Sequence, residues 1–249
     1  MIKGLVRKLV PGLSADPDAV GSHQLLLSLT SEEKEILDLV REYTMTSIEL
    51  IVSLIDATRY VVENKIPGTM VECGVWRGGS MMVIAEMLKR LGDTSRDLYL
   101  YDTFAGMTEP AKIDMRFDGK SAVNLFEAIT RQDGAWCCAS LEEVSRNLNK
   151  TGYPDSRINL VEGKIEETVP TTIPNEIALL RLDTDWYEST LHELEHLYPR
   201  LVPGGVLIID DYGHWRGARE ATDEYFSRRL SLRPFLHRVD YSGRRMIKP

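Results

Sequence analysis

The chain has 249 residues, of which 43% are hydrophobic, and a formal net charge of −8 at pH 7. This length suits one large α/β domain with a substantial core, and the acidic balance argues against nucleic acid or an anionic membrane surface as a partner. The three cysteines lack zinc-ligand spacing, which indicates a reduced cytoplasmic protein, and no apolar run reaches the roughly 18 residues that could span a membrane.

The first segment, residues 1–42, is predicted to be an N-terminal arm followed by a helix. MIKGLVRKLVPGL at 1–13 is basic and apolar but lacks a small-residue cleavage site, which favours an amphipathic arm over a signal peptide. An apolar arm of this kind favours a homo-oligomer, a dimer or larger. Residues 31–43 carry apolar positions at helical spacing, with Ser31 as the expected N-cap.

From residue 43 to residue 249 the pattern predicts one domain in which helices alternate with short apolar strands. Such alternation predicts an α/β fold with a mostly parallel sheet covered on both faces. A hairpin over 235–249, turning at Ser242-Gly243, would add an antiparallel pair, as is typical of methyltransferase sheets. Residues 105–140 are expected to be irregular surface. Helices are predicted over 47–65, 80–92, 140–152, 189–201 and 218–230, and strands over 69–75, 97–104, 157–164, 176–185 and 206–212.

A glycine-rich turn follows the first predicted strand, in VECGVWRGGS at 71–80. Small residues let the backbone approach a ligand, and the free N–H groups of the next helix can bind an anionic group, with Ser80 as a further donor. Dinucleotide sites prefer G-x-G-x-x-G, but here Trp76 stands at the second glycine. The turn therefore favours S-adenosylmethionine (SAM), and a glycine-rich turn with no ligand is the alternative.

Two more strand ends are expected at the same edge of the sheet. Asp102 ends the second strand, roughly 20–30 residues after the turn, where an acidic residue can bind both ribose hydroxyls. Ordering of its own loop is the alternative role for this aspartate. The third strand ends at Gly163, Lys164 and Ile165, where the adenine would lie.

Two pairs of aspartates follow the next two strands. Asp183 and Asp185 end the fourth strand, and Asp210 and Asp211 end the fifth. Four unpaired carboxylates that converge repel each other, so some would take up protons unless a hard cation bound them. Oxygen ligands favour magnesium, manganese or calcium over zinc. His214 lies nearby and is expected to contact substrate or to be structural.

These segments resemble the macrocin O-methyltransferase family, which methylates sugar hydroxyls on antibiotics and other natural products. The similar stretches are YTMTSIEL (43–50), IPGTMVECGVWRGGS (66–80), YDTFAGM (101–107), LLRLDTDWYESTLHELEHLYPRLVPGGVLIIDDYGHWRGAREATDEYF (179–226) and the closing IKP. The resemblance implies a Rossmann-like fold with a seven-stranded, mostly parallel sheet, SAM as cofactor and a divalent cation, usually magnesium. It implies Asp183, Asp210 and Asp211 as metal ligands, Asp185 as general base, and SAM contacts from Glu72, Gly74, Ser80 and Asp102.

The predicted acceptor is a hydroxyl on a sugar of a glycosylated natural product. Two adjacent hydroxyls could chelate the cation, so a vicinal diol suits such a site. A phenolic or catechol hydroxyl is the alternative, although catechol O-methyltransferases place a lysine where this chain has Asp185-Trp186-Tyr187. The alternative classes of protein are a metal-dependent hydrolase, a nicotinamide enzyme and a non-catalytic scaffold.

Overall fold

The computed structural model describes residues 25–229 and 233–249 of the chain. Its strands are β1 (Thr69–Cys73), β2 (Leu98–Asp102), β3 (Ile158–Glu162), β4 (Ile177–Leu182), β5 (Leu201–Ile209), β6 (His237–Arg238) and β7 (Arg244–Ile247). They form one seven-stranded sheet in the order β3-β2-β1-β4-β5-β7-β6. β1 to β5 pair in parallel, and β7 pairs antiparallel with both β5 and β6. The predicted Rossmann-like α/β sheet and its closing hairpin are therefore confirmed.

Helices cover both faces of this sheet, as the alternating pattern predicted. They are α1 (Ser31–Val40), α2 (Ile48–Glu63), α3 (Gly79–Arg90), α4 (Ala122–Asp133), α5 (Leu141–Asn149), α6 (Ile165–Thr168), α7 (Tyr187–His196) and α8 (Arg216–Arg229). Residues 25–28 are helical as well. The predicted arm at 1–13 lies outside the described residues.

The alternation of side chains along each strand divides the core into two layers. In β1, Met70 packs into the cluster that includes α1, α2 and α3, whereas its neighbour Val71 packs into the cluster that includes α7 and α8. Both side chains are fully buried. Because β1 to β5 run in parallel between these layers, their carboxyl ends all meet at one edge of the sheet.

No helix within the two described ranges is long and apolar enough to cross a membrane.

One element was missed by the sequence analysis. Residues 105–140 were expected to be irregular, but 122–133 form α4, which is capped by the side chain of Ser121 and ended by Gly134. The helix lies at the surface: Ala122 is its buried residue, and its other side chains are partly or fully exposed.

Two predicted boundaries were also wrong. Helix α1 is capped by Thr30 instead of Ser31, because Thr30 and Glu33 form a reciprocal capping box. β5 begins at Leu201, ahead of the strand predicted over 206–212, and runs through Pro203-Gly204-Gly205. The pairing with β4 shifts register there, so the strand accommodates the glycines without leaving the sheet.

Candidate active site

The glycine-rich turn after β1 is in direct contact with the carboxylate strand end, which is the segment after β4 that carries Asp183 and Asp185. The backbone N–H of Asp183 donates to the carbonyl of Cys73 at 2.8 Å, and Gly74 follows with a φ of 80°. A Cβ added at Gly74 would lie 2.0 Å from the Asp183 carbonyl oxygen. Glycine is therefore required here because two strand ends approach closely, and this approach joins the two predicted sites into one.

Asp102 organises the same turn from the end of β2. Its Oδ2 accepts from the backbone N–H groups of Val75 and Trp76 at 2.6 and 3.0 Å, and its Oδ1 accepts from Phe104 at 2.8 Å. A carboxylate has about four lone-pair positions, so capacity for a ligand hydroxyl remains. Loop ordering and ligand binding are thus compatible roles for this residue.

A pocket opens where these strand ends converge. The empty space in it is about 770 Å³ with its open mouth included. Met45 and residues 106–108 form part of its wall. Of the predicted site residues, the pocket is lined by Gly74, Asp102, Gly163, Lys164, Ile165, Asp183 and Asp185.

Two predicted SAM contacts are placed elsewhere. Glu72 and Ser80 are 1% and 4% exposed, and neither is among the described residues that line the pocket. The N-terminus of α3 is approached by the chain before α2, since the Gly79 N–H donates to the Tyr43 carbonyl at 3.0 Å. Oε2 of Glu72 has no hydrogen-bond partner within the described part of the chain.

Three aspartates form a compact carboxylate cluster beside the pocket. Asp183, Asp185 and Asp211 each present an oxygen, and these oxygens all lie within 4.8 Å of one another. Burial raises the pKa of all three carboxyls, to about 7 for Asp185 and well above the usual range for Asp183 and Asp211. Mutual repulsion adds to the effect. Protons therefore neutralise part of this cluster when no cation does.

The donor set of the cluster fits a hard divalent cation. All its ligand atoms are carboxylate oxygens, which magnesium, manganese and calcium prefer. Oδ2 of Asp211 is buried and has no hydrogen-bond partner among the residues described. A buried carboxylate oxygen without a partner is costly, and coordination to a cation would satisfy it.

Asp210 lies apart from this cluster, because its side chain pairs with Arg181. Nη2 of Arg181 donates to Oδ1 of Asp210 at 2.6 Å. Nη1 donates to Asp183 at 2.7 Å and to Glu72 at 2.5 Å. The guanidinium is 2% exposed and also contacts the hydroxyl of Thr46. Arg181 thus ties the carboxylate strand ends to β1 and to the segment before α2.

Arg181 was not among the site residues predicted from the sequence. The available signal was an arginine inside the apolar run EIALLRLDTD of β4, a strand with every residue buried. A buried arginine needs carboxylate partners, so its presence already indicated that some of the predicted acids would be paired with it.

Asp185 has a left-handed backbone conformation, and tryptophan side chains surround its carboxyl. Its φ of 72° is left-handed, which residues with a Cβ rarely adopt. Burial raises the pKa of its carboxyl, and the side chains of Asp211 and Trp215 oppose that rise. Trp186 and Trp136 pack edge-on around Trp215, with the Trp186 and Trp215 ring centroids 5.0 Å apart. A rigid aromatic wall therefore fixes one side of this carboxyl.

His214 lies at the outer side of the same wall. Its Nδ1 is 2.8 Å from the hydroxyl of Tyr241, and its ring packs edge-on against Phe117 and Trp215. Burial lowers the pKa of His214 to about 4. The imidazole is therefore neutral near pH 7.

The family model and the relatives define the class of the protein, a SAM-dependent O-methyltransferase. The sequence profile of the macrocin-O-methyltransferase (TylF) family matches residues 37–246. The chain belongs to this family. The match begins within α1, whose buried Ile36 and Val40 are part of the core of the domain.

Characterised relatives and a solved structure are consistent with this assignment. The chain is 33% identical to an 8-demethyl-8-(2,3-dimethoxy-alpha-L-rhamnosyl)-tetracenomycin-C 4'-O-methyltransferase of Streptomyces olivaceus, over 75% of the chain and 68% of that protein. It is 32% identical to a mycinamicin III 3''-O-methyltransferase of Micromonospora griseorubida, over 75% and 71%. The structure of the O-methyltransferase NovP aligns with a TM-score of 0.72 at 30% identity, covering 83% of this chain and 82% of that one.

Proposed function

We propose that the protein transfers a methyl group from SAM to a sugar hydroxyl of a glycosylated natural product, with the help of a divalent cation. The names of two relatives support the acceptor class: one acts on a rhamnosyl-tetracenomycin and the other on mycinamicin III. The observation that carries the proposal is the shared pocket, which is lined both by the glycine-rich turn and by the carboxylate strand end.

The cofactor would be held by the turn after β1 and by the ends of β2 and β3. Asp102 would accept from the ribose hydroxyls, and the adenine would lie against Gly163, Lys164 and Ile165. Gly74 lets the backbone pass close to this ligand, and Glu72 and Ser80 would support the turn from beneath. SAM supplies the electrophilic methyl group.

The cation would be held by Asp183 and Asp211, with Asp210 as the third predicted ligand. Asp185 is the rival for that third place, because it already lies within the compact cluster. When bound, the cation would lower the pKa of an acceptor hydroxyl and neutralise the charge of the carboxylates. Arg181 contributes by fixing the side chains of Asp183 and Asp210.

Asp185 would accept the proton of the acceptor hydroxyl. Its pKa of about 7, raised by burial, matches a general base that works near neutral pH. The side chain of Trp215, which opposes the rise in this pKa, would help to hold the carboxyl in place. The wall formed by Trp136, Trp186 and Trp215 excludes water from one side of the proton transfer.

We also propose that residues 43–249 act as the catalytic domain, that the protein is cytoplasmic and that it forms a homo-oligomer. The support comes from the sequence: its cysteines lack disulfide or zinc patterns, and its apolar arm at 1–13 is suited to a second copy. Light scattering on the purified full chain measures the oligomeric state directly.

Replacing Asp102 with alanine is expected to lower SAM affinity at least tenfold. Each lost hydrogen bond from a charged group costs about 1.5–3 kcal/mol, and 1.4 kcal/mol corresponds to a factor of ten. Calorimetry measures the affinity. Asp240→Ala is the matched control, because Asp240 also accepts from two backbone N–H groups, in the hairpin turn outside the pocket. Equal SAM affinity in Asp102→Ala and the unmodified protein would remove the ribose role.

Thermal shift with SAM, NAD and magnesium, each added alone, tests the proposed cofactors. Stabilisation follows selective binding to the folded state, so SAM and magnesium should each raise the melting temperature and NAD should not. A shift with magnesium alone would support a metal-dependent hydrolase, and no shift with any of them would support a scaffold.

A further inference from the structure

Glu193 is a carboxyl in the interior, on the side of α7 that faces the carboxylate strand end. The side chain is 0% exposed. Its Oε1 accepts from the hydroxyl of Thr184 at 2.9 Å. Oε2 has no hydrogen-bond partner in the ranges that the structure describes. The hydrogen bond of this carboxyl is thus to the hydroxyl of a residue that follows a central strand.

A carboxyl in such a place costs stability. Burial raises the pKa of Glu193 well above its usual range, so the neutral form is favoured. An apolar side chain of similar size would avoid the cost of desolvation, and the neighbouring positions Leu194 and Leu197 are fully buried leucines. What the carboxyl provides, and leucine cannot, is the hydrogen bond to Thr184.

Thr184 is the residue between the two aspartates that follow β4. Its carbonyl accepts from the Trp186 N–H at 2.8 Å, and its hydroxyl is held by Glu193. The next residue, Asp185, has the left-handed φ of 72°. Such a conformation in a residue with a Cβ persists only where surrounding contacts hold it. The residues on both sides of Asp185 are held by side-chain hydrogen bonds: the Thr184 hydroxyl donates to Glu193, and the Trp186 indole N–H donates to the Thr108 carbonyl.

We propose that Glu193 is a positioning residue whose hydrogen bond to Thr184 holds residues 183–185 in the strained conformation that directs Asp183 and Asp185 into one pocket. This inference rests on the proposed function, in which those two aspartates hold the cation and accept the proton.

Four variants test the hydrogen bond itself. Thr184→Val keeps the side-chain shape and removes the hydroxyl, whereas Thr184→Ser keeps the hydroxyl. Glu193→Leu removes the acceptor, whereas Glu193→Gln keeps an acceptor oxygen without an ionisable group. Thr58→Val is the matched control, because Thr58 is fully buried and its hydroxyl bonds to the Leu54 carbonyl within α2.

We expect Thr184→Val and Glu193→Leu to lower kcat by about 10- to 100-fold, since a misplacement near 1 Å can cost a factor of about 100. SAM affinity by calorimetry should stay within about twofold, as the cofactor contacts are retained. The affinity for Mn²⁺, measured by electron paramagnetic resonance, should fall. Thr184→Ser, Glu193→Gln and Thr58→Val should keep activity within about threefold of the unmodified protein. The double variant Thr184→Val/Glu193→Leu should lose no more than either single variant, because both remove the same bond.

A crystal structure of Thr184→Val provides a readout independent of turnover: Asp185 should leave its left-handed φ. An unchanged Asp185 conformation together with unchanged kcat and Mn²⁺ affinity would overturn the positioning role. Additive losses in the double variant would do so as well. If the proposed function itself is wrong, the result is different: Asp185→Asn then keeps full activity, whether Glu193 is intact or replaced.

Discussion

Replacing Asp185 with asparagine is expected to lower kcat by about 10²–10⁴-fold, the usual effect of losing a general base. Asparagine has nearly the same shape, so the packing against the tryptophan wall survives, but it has no basic oxygen. The loss should fall on kcat, with SAM affinity unchanged, because the cofactor contacts lie on other strand ends. Single-turnover kinetics with saturating SAM measure the chemical step directly.

The rival role for Asp185 is that of a metal ligand. Titration of Asp185→Asn with Mn²⁺ separates the two roles. A large loss of Mn²⁺ affinity would make Asp185 a ligand in place of Asp210, and Asp210→Asn should then bind Mn²⁺ normally. An unchanged kcat would remove Asp185 from the mechanism. In that case His214 would be the next candidate base, being neutral near pH 7 and close to the same aromatic wall.

Removal of divalent cations by exhaustive chelation is expected to abolish turnover, and magnesium should restore it. The reason is the carboxylate cluster. Its acidic groups lie so close together that, without a cation, some of them take up protons. SAM binding should largely survive chelation, since its proposed contacts involve other residues. Activity and calorimetry on the same chelated sample measure both quantities.

The same cluster gives the cation a defined pH dependence. Burial raises the pKa of Asp185 to about 7 and those of Asp183 and Asp211 well above the usual range, so at low pH protons occupy the oxygens that the cation needs. Mn²⁺ affinity should therefore rise as pH increases from 6 to 8. Asp211→Asn should weaken binding at both pH values. Full turnover after chelation would contradict a role for the cation.

The convergence of the site could be predicted from the sequence, because parallel strands end at one edge of the sheet. Asp102, Asp183 and Asp185 were assigned to strand ends from the apolar runs before them, and the structure brings all three to one pocket. Such predictions need only the strand pattern and its direction.

Side-chain pairing could not be predicted in the same way. Whether Asp210 faces the carboxylate cluster or Arg181 depends on rotamers and on a guanidinium contributed by the neighbouring strand. The left-handed backbone of Asp185 could not be predicted, since aspartate adopts this conformation only occasionally and no glycine marks the position. The burial of Glu193 could not be predicted from its place in the helix over 189–201, because it depends on how α7 packs on the sheet.

The most direct test of the account is a methyl-transfer assay with SAM that carries a deuterated methyl group, run against glycosylated natural products and read by tandem mass spectrometry. The account predicts that, with magnesium present, one labelled methyl appears on a sugar fragment of an acceptor, and that chelator prevents it. Label found on a phenolic aglycone, or label transferred equally well in chelator, would contradict it.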